Sequence, residues 1–236
     1  MVDQAAPRFR DRTDAGRQLA TVLDGRAWRR PLVFGIPLGG VAVAAEVARV
    51  LGAELAVLGV RKLAAPYQPQ LTLGAVAADG VSYVDEALAR EVGAGEGYLR
   101  REKAKKAMEA RRREEELGVR GRPDLGGRTA IVVDEGVVTA STAIAAVRSL
   151  RAAGAASVVV AVPGGPPKIL RRLRREADEV FCIEEAAHFV AVERLYGDFH
   201  RVGSSELLEA LAGAAARRRP ARPAAPAGPE LAAVSL

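Results

Sequence analysis

The stretch Ile131-Val132-Val133-Asp134-Glu135-Gly136-Val137-Val138-Thr139-Ala140-Ser141-Thr142 passes from an apolar run through two adjacent carboxylates and a glycine to three hydroxyl residues. A fully apolar run of this length, bounded by acid, predicts a buried parallel strand that carries its charges to the carboxyl edge of a sheet. A helix is predicted from Thr142 to Ala153, ended by Gly154. The amides in the first turn of a helix have no intrahelical partner and carry partial positive charge, so they favour a phosphate. Thr139, Ser141 and Thr142 add hydroxyl donors in a loop short enough to wrap one phosphate, and the carboxylates of Asp134 and Glu135 accept hydrogen bonds from a vicinal diol. A sugar phosphate satisfies both halves at once.

Working outward, the same rhythm recurs on both sides. Phe9 to Leu23 has apolar positions at helical spacing, and Pro31 to Ile36 reads as a buried strand that ends in Pro37-Leu38-Gly39-Gly40. A helix over Val41 to Leu51 and a strand over Glu54 to Val60 complete a unit long enough for a right-handed parallel crossover. On the other side, Ser157 to Val162 is a strand, Pro166 to Arg175 a helix and Glu179 to Ile183 a strand. The alternation predicts an α/β fold with a doubly wound, mostly parallel sheet, and binding at the carboxyl ends of its strands. Between the halves, Pro66, Pro69 and Gly74 punctuate a loop, and Asp79-Gly80 signals a β-hairpin, so a projecting flap is expected over residues 61–85. A long charged helix follows, up to Leu117.

Composition narrows the functional classes. Aromatic residues are only 4% of the 236, which suits a core of Ala, Val, Leu and Ile and argues against a stacking platform for single-stranded nucleic acid. The formal charge of +6 invites a nucleic-acid reading, but half of it lies in residues 217–236, where four arginines face one glutamate in an Ala- and Pro-rich tail expected to be disordered. The basic run from Arg100 to Arg113 is interleaved with and followed by glutamates, as on a solvated helix. Nucleic acid is therefore a minor alternative as partner. The lone cysteine, Cys182, excludes a disulfide framework or cysteine metal cluster within one chain and reads as a small core residue. No membrane span or signal peptide is read from the sequence, and a cytoplasmic location is expected.

The acidic pair followed by Gly136 and the Thr139-Ala140-Ser141-Thr142 loop resembles the phosphoribosyl pyrophosphate signature of type I phosphoribosyltransferases, and the resemblance extends over most of residues 8–200. It implies that Asp134 and Glu135 hold the ribose hydroxyls and that the hydroxyl loop holds the 5-phosphate. Pro37, Leu38, Gly39 and Gly40 look like the pyrophosphate loop, and Arg61 and Lys62 like the basic pair that neutralises it. Residues 1–216 would form one domain, with a hood at about 184–203 over the acceptor, where His188 to Val192, Tyr196 and Phe199 lie. His188 itself reads as structural or exposed, because no nucleophile or acid is placed beside it by spacing. The implied cofactor is Mg²⁺, carried mainly by the ligand and within reach of Asp134 and Glu135. The implied substrates are phosphoribosyl pyrophosphate and a nitrogenous acceptor, and a homodimer is consistent with the family.

Three positions depart from the family pattern. Leu38 stands where relatives usually carry Arg, Ala140 where the loop usually has Gly, and Leu195 precedes Tyr196 where a tryptophan is expected. The first two leave a second reading open: a non-catalytic module that binds phosphoribosyl pyrophosphate or a nucleotide through a degenerate site.

Overall fold

The computed structural model describes residues 7–119, 121–187, 189 and 191–216. The tail at 217–236, and His188 in the hood, lie outside them. Five strands, β1 (Leu32–Gly35), β2 (Glu54–Val57), β6 (Thr129–Val133), β7 (Ser157–Gly165) and β8 (Glu179–Glu185), form an all-parallel sheet in the order β2-β1-β6-β7-β8. Successive strand residues point to opposite faces, and both faces are covered, which is why these strands read as unbroken apolar runs. Val33, Ile131, Val133, Val159 and Ala161 pack against α1 (Arg12–Leu23) and α2 (Gly39–Leu51). Phe34, Val132, Val158, Val160 and Val162 pack with residues of α5 (Ser141–Ala152) and α6 (Pro167–Leu173).

Strand order reverses between β1 and β6: the chain leaves β1 toward β2 on one side and leaves β6 toward β7 and β8 on the other. The two loops that emerge at this reversal, 36–38 and 134–140, are thereby splayed apart at the carboxyl edge, where open α/β sheets keep their binding crevice.

The flap is more regular than the sequence implied. The apolar run Glu54 to Val60 is not one strand but two: β2 ends at Val57, and β3 (Val60–Ala65) belongs to a separate antiparallel sheet with β4 (Gln68–Ala77) and β5 (Ser82–Val84), in the order β3-β4-β5. Periodicity cannot distinguish a strand that continues from one that changes sheets. Arg61 and Lys62, expected at the end of the strand before the flap, accordingly lie at the start of β3 in the second sheet. Pro66 and Pro69 are compatible with this because the β3–β4 turn falls at Pro66 and Tyr67, and Pro69 sits in a bulge between the paired residues Gln68 and Thr72. The Asp79-Gly80 turn forms as expected, with Val81 N–H donating to Asp79 Oδ1 at 3.0 Å. The charged segment divides into α3 (Glu86–Glu91) and α4 (Glu96–Glu116).

The last helix, α7 (Ser204–Ala216), goes unnoticed in the sequence reading, although Leu207 and Leu211 carry its apolar period. Both join a cluster with Val41, Val57, Leu117 and Val202, against which Leu38 also packs.

Candidate functional site

A cleft of about 480 Å³ opens at the strand-order reversal. Pro37, Leu38, Arg61, Lys62, Asp134, Glu135, Gly136, Thr139 and Thr142 all line it, drawn from three segments far apart in the chain. Gly39, Gly40, Ala140 and Ser141 do not line it; all four are buried at the loop bases.

The acidic pair sits at the floor. Asp134 follows the last residue of β6, and its Oδ1 accepts from the Glu135 amide at 2.8 Å. The depth of its position, reinforced by the neighbouring Glu135 charge, pushes its carboxyl up to about 7, against the opposing pull of that amide and of Lys62. Glu135 is held differently: its Oε2 accepts from Nε of Arg12 at 2.6 Å, and its carbonyl accepts from the Tyr196 hydroxyl at 2.7 Å. Burial and the Glu135 charge hold the Tyr196 phenol above its ordinary value, so it remains a donor.

The glycines after β1 make room for this pair. A Cβ on Gly39 would overlap Oε2 of Glu135, and one on Gly40 would come within 2.9 Å of Asp134 Cα. Their smallness therefore serves the approach of one loop to the carboxylates of the other. The Pro37–Leu38 peptide is cis. Gly136 is required by conformation as well as space, having φ +148° and a notional Cβ 3.0 Å from Val192.

The hydroxyl residues stand at the start of α5. Its first intrahelical bond runs from Ile144 N–H to the Ala140 carbonyl at 2.9 Å, so the earlier amides lack an intrahelical acceptor beside the hydroxyls of Thr139 and Thr142. Ala140 has φ −77° and ψ −16° and is buried in the core. The absence of glycine there consequently carries no φ penalty.

Opposite the carboxylates stand the cations. Among the described residues Arg61 and Lys62 form no ion pair, and the one hydrogen bond of the Arg61 side chain is to the Val60 carbonyl at 3.5 Å. Lys106 of α4 joins them in the cleft, its Nζ 2.8 Å from Glu109. The sequence reading overlooks Lys106 because its helix is charged on all sides. It overlooks Arg12 because nothing in the spacing links it to a residue 123 positions away. Val192, in the 3-10 turn Val192–Leu195, brings the hood to the cleft wall. Phe9, Leu195 and Tyr196 pack beneath that turn, so the N-terminal segment is part of the hood's support. Cys182 is half-buried against the core, with its thiol pushed up to about 12 chiefly by burial, which makes it inert.

Among the described residues no group of three or more His, Cys, Asp or Glu side chains could hold a metal ion, and no helix is long and apolar enough to cross a membrane.

Known proteins share this chain's sequence pattern and fold. The family model described as "Phosphoribosyl transferase domain" matches residues 11–198. Over 204 residues, 86% of this chain, there is 42% identity to the Mycobacterium tuberculosis (strain H37Rv) protein named "Putative phosphoribosyl transferase Rv0571c", 46% of which is covered. The chain thus spans about half the length of the curated relatives it matches. Among solved structures, TT1426 from Thermus thermophilus is 39% identical with a TM-score of 0.74, covering 87% of this chain and 98% of its own. The AQ2163 protein from Aquifex aeolicus, 12% identical with a TM-score of 0.50 over 79% of this chain and 85% of its own, shares the fold.

Proposed function

We propose, from the premise that this chain belongs to the phosphoribosyl transferase family, that it moves a phosphoribosyl group from phosphoribosyl pyrophosphate to a nitrogenous acceptor and releases pyrophosphate. The observation that carries this reading is the convergence in one cleft of an acidic pair, a hydroxyl-bearing helix start and three cations. Each meets a different part of such a ligand: diol, 5-phosphate and pyrophosphate.

In the reaction the bond from the ribosyl C1 to the pyrophosphate oxygen breaks, its electron pair leaves with pyrophosphate, and the acceptor nitrogen bonds to C1 and gives up a proton. Positive charge develops on the ribose ring as this happens. Asp134 and Glu135 beneath the ring stabilise that charge and hold the hydroxyls, while Arg61, Lys62 and Lys106 stabilise the negative charge that accumulates on the leaving group. No side chain needs to form a covalent intermediate. The hard carboxylate oxygens of Asp134 and Glu135, both lining the cleft, suit Mg²⁺ and would be the protein groups to hold it. When bound, the ion would supply neutralisation of the negative charge on the leaving group.

The alternative, a binding module without turnover, retains one support. Ala140 no longer argues for it, but Leu38 does, because it leaves the pyrophosphate loop without a cation. Leu38 also has a structural explanation: it packs against the apolar cluster that seats α7.

The deciding experiment combines calorimetry with Mg²⁺ and phosphoribosyl pyrophosphate and an assay of pyrophosphate release across a panel of purine, pyrimidine and other nitrogen acceptors. Binding with acceptor-dependent release is expected. Binding without release for any acceptor would favour the module, and no binding at millimolar ligand would remove both readings.

A further inference from the structure

The two carboxylates of the acidic pair are not equivalent. Among the described residues the Asp134 carboxylate is hydrogen-bonded only by the amide next to it, whereas Glu135 is held by residues far away in the chain. The clamp centres on Arg12, the first residue of α1, whose side chain is only 8% exposed. Its Nε donates to Glu135 Oε2, its Nη1 donates to the His200 carbonyl at 2.9 Å, and its guanidinium lies 3.9 Å from the centroid of the Phe199 ring. A guanidinium so deeply placed is tolerated only because its charge is matched, and the matching group is one of the carboxylates of the cleft. Gly39 completes the arrangement by leaving open the space that Oε2 occupies. One oxygen of Glu135 is thus committed to Arg12, and the other remains as an acceptor for the cleft.

Resting on the reading given under Proposed function, we infer that Arg12 is a positioning residue that, by holding one oxygen of Glu135, aims the other at the ribosyl part of the ligand and makes hood and acidic pair one mechanical unit. Arg12 does not line the cleft. The cations assigned to pyrophosphate, Arg61, Lys62 and Lys106, lie on other elements and share no hydrogen-bond partner with it.

That separation supplies the test. In the full chain, Arg12→Gln should weaken binding of phosphoribosyl pyrophosphate and of ribose 5-phosphate by roughly tenfold or more, the scale of losing a charge-assisted contact's orientation. Binding of Mg²⁺-pyrophosphate, measured in the same calorimeter, should stay unchanged. Arg12→Met, which keeps the length of the side chain but cannot donate to Glu135, should reproduce the split. In a Glu135→Gln background, Arg12→Gln should add nothing further. Equal losses for pyrophosphate and the ribosyl ligands would mean that Arg12 merely supports the fold, and unchanged ribosyl affinity in either folded variant would also overturn the inference. A full additional loss in the Glu135→Gln background would show that Arg12 does not act through Glu135. Should Arg12→Gln not fold, Arg12→Met decides alone. If the unaltered chain bound none of these ligands, the proposed function itself would fail, an outcome distinct from all of these.

Discussion

Among single residues, Asp134 has the most to reveal, because its position and its charge state are set by the same fact. It lies at the floor of the cleft beside a second carboxylate, and its carboxyl is pushed up to about 7 from an ordinary value of 3.8. A carboxyl raised on folding binds its proton more tightly in the native state than in the unfolded chain. Its favourable contribution to stability is therefore fully present below pH 3.8 and is lost as pH rises toward about 7. Ligand binding has the opposite dependence, since only the ionised carboxylate accepts from ribose hydroxyls through both oxygens. Affinity for phosphoribosyl pyrophosphate should rise from pH 6 to pH 8, with a proton released on binding. The ligand's own phosphates titrate nearby, so the comparison is with Asp134→Asn, in which affinity should be lower and the protein-derived proton release absent. Calorimetry in two buffers of different ionisation enthalpy measures that release. Identical proton release and affinity in the two proteins would mean the carboxylate takes no part.

The element that changes most between sequence and structure is α4. Read as a sequence, Glu96–Glu116 is a solvated helix with charges of both signs at helical spacings, and those pairs do form, as between Arg112 and Glu116. Yet the helix lies on the antiparallel sheet. Glu114 accepts from the Gly59 amide at 2.7 Å, where the chain crosses from one sheet to the other. Packed this way, α4 turns Lys106 into the cleft beside Lys62. A lysine on an all-charged helix face carries no sequence signal of its own, and the same is true of Arg12 on α1. Asp134, Glu135, Thr139 and Thr142 are legible because a buried strand and a helix flank them within twelve residues. What a sequence withholds here are the residues delivered by tertiary packing. If Lys106 meets pyrophosphate, Lys106→Ala should weaken Mg²⁺-pyrophosphate binding by about 1.5–3 kcal/mol, one to two decades, with ribose 5-phosphate affected little. Lys106→Arg should retain part of that affinity. Equal pyrophosphate affinity in Lys106→Ala and the unaltered chain would place Lys106 on the rim only.

At the scale of the whole molecule, the cleft is where three separately built parts meet. The parallel sheet supplies the acidic pair and the phosphate loop, the antiparallel sheet with α4 supplies the cations, and the hood with α1 supplies Val192 and the Arg12 clamp. The doubly wound core is legible in the alternation of apolar runs and helical spacings. Of the second sheet the hairpin at Asp79-Gly80 is legible and β3 is not, because a run such as Glu54 to Val60 looks continuous although it passes from one sheet to the other. A ligand that touches all three parts binds only the assembled state, so it must stabilise that state as a whole. At 100 times its dissociation constant the gain is about 2.7 kcal/mol, which for a chain of this size raises the midpoint of thermal unfolding by roughly 5–10 °C. The molecule carries its own probe for this. Trp28 is the only tryptophan, and it sits at the opposite, amino-terminal edge of the sheet, with its Nε1–H bonded to the Leu23 carbonyl at 3.0 Å and its ring edge-on to Phe181. Its fluorescence is therefore expected to report global unfolding without direct contact from ligand in the cleft. Phosphoribosyl pyrophosphate with Mg²⁺ should shift the Trp28 transition and the circular-dichroism transition together, and by more than ribose 5-phosphate or pyrophosphate at equal concentration. A shift in the circular-dichroism signal alone would show that ligand stabilises one part and not the assembly. No shift at saturating ligand would separate the cleft from phosphoribosyl pyrophosphate altogether.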